Sequence, residues 1–83
     1  MDKVLINLYI PTANRSFDLF VPSDLIIREL TKVIINGVVY MCEGAFYASG
    51  REMLILTDPE TLMDPDCTLA DYGVMNGAKL MLI

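Results

Sequence analysis

Both ends of this chain alternate, and the middle does not. From the N-terminus, KVLINLYI sets Val4, Ile6, Leu8 and Ile10 on one side and Lys3, Leu5, Asn7 and Tyr9 on the other, the period of two that marks a half-buried strand. The closing AKLMLI repeats the pattern, with Leu80 and Leu82 on its apolar side. Two strands so far apart in sequence, each apolar on one face, bury most when they lie side by side beneath a common cover. The intervening chain must therefore leave the sheet, supply that cover and return.

It has the means to do so. PTANR supplies loop residues, and SFDLFV resumes the alternation with Phe17, Leu19 and Val21 on one face and Asp18 and Phe20 on the other, which predicts an antiparallel hairpin. In PSDLIIRELTKVII the period changes. Pro22 ends the strand, Ser23 or Asp24 offers an N-cap, and Ile26, Ile27, Leu30, Val33 and Ile34 fall on a helical face opposite Arg28, Glu29, Lys32 and Asn36. Asn36-Gly37 is a stop signal, although residues 38–50, VVYMCEGAFYASG, are apolar enough to carry a further turn before Gly50. MLILT then reads as a short strand, DPE as a break, and TLM as a very short strand. Thr68 and Asp71 approximate a capping box over LADY, Gly73 can end that turn, and Asn76-Gly77 is a tight-turn dipeptide before the last strand. The order predicts one α+β domain over 1–83. Its mixed four- to five-stranded sheet is packed on one main helix, with the first and last strands in the middle, and that arrangement is the β-grasp.

Charge narrows the function. The net charge is −5, and Lys3, Arg15, Arg28, Lys32, Arg51 and Lys79 are scattered, which disfavours nucleic acid and anionic lipid, both of which want clustered cations. Neither a leader pattern nor an apolar run of about 18 residues is present, so a cytoplasmic protein is expected. Cys42 and Cys67 are expected to be reduced, and without histidine or further ligands they make no metal site. Asp58, Glu60, Asp64, Asp66 and Asp71 fall mostly in turns, where solvated acids are the common case; Asp64-Pro65-Asp66 lacks the closing Glu of a calcium loop. With no histidine, phosphate-binding glycine loop or nucleophile setting, the expectation is no enzyme and no cofactor.

The residues now on the page resemble ubiquitin. VPSDLI is similar to the entry into its helix, and DPDCTLADYGVMNGAKLMLI to its last quarter. The resemblance implies that Tyr72 packs across the loop with its hydroxyl on a backbone group while Asp71 and Thr68 brace the turn. LADYGVMNGAKL further resembles the C-terminal strand pattern of the YukD/EsaB family of bacterial ubiquitin-like proteins. That resemblance implies an accessory protein of the type VII (WXG-type) secretion machinery, acting by protein contacts on the cytosolic side. Its implied partners are membrane-anchored components, an FtsK/SpoIIIE-type ATPase and a YukC/EssB-type protein, which would recruit it to the inner face of the membrane.

Two further expectations follow. A ubiquitin-like modifier or sulfur carrier needs a flexible Gly-Gly tail for adenylation, whereas this chain ends on Leu82 and Ile83, so that role is disfavoured. Alternation also sends Leu5, Tyr9, Phe20, Met81 and Ile83 to the sheet face away from the helix, and alignment with ubiquitin adds Met53 and Ile55. With 54% hydrophobic residues in so small a domain, these seven are expected to form an apolar docking patch. Self-association, as a homodimer or through the second strand's edge, is the competing use of that surface, and the segment VVYMCEGAFY folding back over it is the competing structure.

Overall fold

The computed structural model describes residues 2–42, 49–57 and 60–83. It contains β1 (Lys3–Ile10), β2 (Arg15–Pro22), α1 (Ile27–Met41), β3 (Leu54–Thr57), β4 (Glu60–Leu62), a 3-10 turn (Ala70–Tyr72) and β5 (Ala78–Leu82). The sheet order is β2-β1-β5-β3-β4. β1 and β5 run parallel at the middle, Leu8 opposite Leu80, and the remaining pairs are antiparallel.

One face of the sheet carries the core. Val4, Ile6, Leu8 and Ile10 of β1, Val21 of β2, Leu54 of β3, and Leu80 and Leu82 of β5 pack with Ile27, Leu30, Ile34 and Val38 of α1, and Met63, Leu69 and Cys42 complete the cluster. The helix residues recur at intervals of three and four, the spacing of one stripe on a 3.6-residue helix. Ile26 and Val33 do not belong to it, contrary to the sequence expectation. Val33 is 55% exposed, because it lies about 100° around the helix from the centre of that stripe, and Ile26, 39% exposed, stands before the first helical turn as its extended N-cap.

The ends of α1 also differ from expectation. Neither Ser23 nor Asp24 caps it; the N-cap is Ile26, with no side-chain cap bond. Its first amides are met by tertiary carbonyls instead, Ile27 N on Cys67 O at 2.7 Å and Arg28 N on Pro65 O at 2.9 Å. Ser23 is drawn into the sheet's extension, its amide and hydroxyl both donating to Asp2 O. Asn36-Gly37 does not stop the helix. Gly37 keeps a helical backbone, and α1 continues to Met41, with Val38 buried in the core to hold that end on the sheet. The expected continuation through residues 43–48, any folding back of that segment, and the Asp58-Pro59 break lie outside the described residues.

The segment after β4 is built from side-chain clamps. Thr68 N donates to Asp71 Oδ2 at 2.8 Å and Asp71 N to Thr68 Oγ1 at 3.1 Å, the reciprocal bonds of a capping box. Tyr72 Oη accepts from Asp64 N at 2.7 Å. Gly73 closes the turn at φ 67°, a left-handed conformation that a Cβ would strain. Asn76 Oδ1 then accepts from Leu5 N at 2.8 Å, and Gly77 N donates to Leu5 O at 2.8 Å. The tight turn is thereby fastened to β1, which sets β5 in register beside it.

Candidate protein-docking face

The face of the sheet away from α1 is fixed by the same alternation that fills the core. Register brings four of its side chains into one line across the sheet: Tyr9 of β1 lies opposite Met81 of β5, Met81 opposite Ile55 of β3, and Ile55 opposite Leu62 of β4. At about 4.8 Å between strands this apolar row spans about 14 Å. Met53 and Ile83 extend it beyond β3 and β5, bonded to each other through both of their backbone amides, at 2.9 and 3.0 Å.

The seven residues expected from the sequence are not one patch. Tyr9, Met53, Ile55, Met81 and Ile83 come together. Leu5 and Phe20 pair with each other and are cut off by a polar row in which Asn7 stands opposite both Asp18 and Lys79. Asn7 Nδ2 donates to Asp18 Oδ1 at 3.0 Å, and Thr57 Oγ1 to Lys79 O at 2.9 Å. Burial grades the members further. Leu5, Ile55 and Met81 are half-buried, whereas Tyr9, Met53 and Ile83 are exposed and Phe20 is 69% exposed. Sequence reasoning missed Leu62, which is 59% exposed and completes the row; its pairing with Ile55 was the only signal, and a three-residue strand gives too little alternation to read.

The row is apolar apart from one hydroxyl. Tyr9 supplies the one hydroxyl in it, donating to Asn14 Oδ1 at 3.2 Å, which leaves the ring along the hairpin. Among the described residues no group of three His, Cys, Asp or Glu is placed to hold a metal ion. Cys67 sits near acids instead: partial burial, then the charges of Asp64, Asp71 and Asp66, push its thiol up from its ordinary value, opposite to what a nucleophile needs. A separate groove of about 370 Å³ lies between α1 and the β3–β4 edge, walled by Ile27, Ile35, Leu54 and Met63 with Arg28 and Lys32 at its rim. No described helix is long and apolar enough to cross a membrane.

No protein-family model matches the chain, and no curated protein matches it. Solved structures do. The ubiquitin-like domain of the Mycobacterium tuberculosis type VII secretion system protein EccD1 superimposes with a TM-score of 0.79 at 21% identity, covering 100% of this chain and 99% of that one. The UBL domain of Plasmodium falciparum Dsk2 follows with a TM-score of 0.74 at 16% identity over 98% of this chain and 96% of that one. Protomer 1 of the ESX-3 core complex gives 0.68 at 23% identity, covering 99% of this chain but 16% of that longer one. The chain has the ubiquitin-like β-grasp fold.

Proposed function

We propose that this protein is a non-catalytic ubiquitin-like interaction module, an accessory component of the YukD/EsaB type that docks onto a type VII secretion machine from the cytosolic side. The observation that carries the reading is the apolar row of Tyr9, Met81, Ile55 and Leu62 across the sheet face opposite the core. Apolar side chains in register on a face the fold does not use for its own core are what a partner surface would bury. The likeness to the EccD1 domain supports the choice of machine, and the scattered charge supports protein over nucleic acid as partner.

The partners this reading names are the FtsK/SpoIIIE-type ATPase and the YukC/EssB-type protein. The test is co-purification of each with the wild-type chain and with Leu62→Lys and Met53→Glu variants. The wild type is expected to retain at least one of them, and both variants to lose it while unfolding at an unchanged midpoint. Retention of neither by the wild type, or equal retention by all three chains, rejects the reading.

A further inference from the structure

The two edges of the sheet are unlike. β4 is three residues long, whereas β2 runs for eight and pairs without a bulge from Lys3↔Pro22 to Ile10↔Arg15. Leu5 sends its amide and carbonyl toward Asn76 and Gly77 on the β5 side, and Ser23 N bonds Asp2 O on the β2 side. By the alternation of an antiparallel ladder, the even residues of β1 therefore bond the odd residues of β2. Ser16, Asp18 and Phe20 are left directing N–H and C=O groups outward, and Pro22 its carbonyl. Among the described residues no strand pairs with that side. Native edges of this length are ordinarily shortened, bulged or studded with charge and proline; here β2 carries exposed Arg15 at one end and Asp18 at the middle, and Pro22 at the far end interrupts the row of donors.

The surface beside this edge is apolar. The buried stripe of Ile27, Leu30, Ile34 and Val38 divides α1 lengthwise. To one side, Thr31 and Ile35 face the groove toward β3 and β4. To the other, in the direction of β2, lie Val33 and Tyr40, the latter 86% exposed. Between them Gly37 carries no side chain, and a Cβ there would meet nothing within 4 Å, so the space over it is open.

We infer that the β2 edge is a strand-addition site for an extended, basic and apolar segment of a partner protein. The unpaired backbone accepts an extended chain, the Val33–Gly37–Tyr40 flank takes its alternate apolar side chains, and Asp18, exposed at the middle of the strand, takes a lysine or arginine opposite it. Charge selects this occupant over a second copy. Two copies would each bring a net −5, and pairing centred on Asp18 would set two carboxylates against each other. The surface is distinct from the apolar row, so its test does not depend on the proposed machine.

The probe is a capped peptide alternating valine with lysine, matched in length to β2 and titrated into the purified chain under amide NMR. The amides of Ser16, Asp18 and Phe20 are expected to shift and their hydrogen exchange to slow. N-methylation of alternate peptide residues in one frame should weaken binding about tenfold, and in the other frame far less, because only one frame's N–H groups face β2. Replacing lysine by glutamate should also cost about tenfold, recovered on a D18K chain. Equal loss in both frames, shifts centred on the α1–β3 groove or on Ile55 and Met81, or no shift at millimolar peptide overturns the inference. So does protection of the same amides that rises with chain concentration alone.

Discussion

A few side chains fasten the loop that delivers β5, and each can be tested singly. Tyr72→Phe keeps the ring packed on the core but removes the acceptor for Asp64 N. The expected cost is about 1 kcal/mol, read as a lower urea midpoint at unchanged slope; an unchanged midpoint would mean that water replaces the hydroxyl without loss. Asn76→Ala strands the amide of half-buried Leu5 and should cost about 1–2 kcal/mol. Glu52 introduces pH. Burial works against its charge, but the Ser49 amide at 2.6 Å, the Ser49 hydroxyl at 2.8 Å and the Gly50 amide at 3.0 Å outweigh it and hold the carboxyl below its ordinary value. A carboxyl lowered in the folded state contributes stability that is full above its unfolded value and fades as pH falls through the lowered one. Glu52→Gln should remove that part of the acid slope, and an NMR titration of the carboxyl at or above the ordinary glutamate value would contradict the arrangement.

Elements were legible in the sequence where their signal is local, and their boundaries were not where tertiary partners decide. β1 and β5 declare themselves by period, and the Thr68–Asp71 box by spacing, because each depends on residues adjacent in the chain. The start of α1 does not, since its amides are met by Cys67 and Pro65 about 40 positions away. Register hides in the same way: nothing in the alternation of β1 and β2 alone shows that Asn7, flanked by Asp18 and Lys79, parts Leu5 and Phe20 from the apolar row. Gly37 marks the difference between signal and outcome most plainly. It reads as a helix stop, yet it lies inside α1 with a helical φ and room for a methyl group. Gly37→Ala should therefore stabilise the protein by about 0.5–1 kcal/mol, raising the thermal midpoint by a few degrees. Circular dichroism melting checks this, and a lowered midpoint would show that the helix is not continuous there.

At the scale of the molecule, the proposed function gives one sheet two purposes: β1, β2, β3 and β5 carry core residues on one face, and the opposite face is left to a partner. The two purposes should be separable by substitution, because neighbouring side chains in β5 point to opposite faces. Leu80 is fully buried between β1 and β3, and Leu80→Ala should cost about 2–5 kcal/mol. For a domain whose total stability is expected at roughly 4–12 kcal/mol, that is enough to populate the unfolded chain measurably. Leu62→Lys, on an edge strand and largely exposed, should cost within about 0.5 kcal/mol. Binding then distinguishes the two kinds of loss. The Leu80→Ala chain should lose partner affinity only in proportion to its unfolded fraction, and recover it on cooling or in a stabilising osmolyte. The Leu62→Lys chain should lose affinity while fully folded and recover under neither condition. Calorimetric titration across temperature with a purified partner, alongside urea unfolding of each variant, makes the comparison. If Leu62→Lys binds normally while Leu80→Ala fails even when folded, the partner reads the shape of the core and helix side, and the apolar row is not its target.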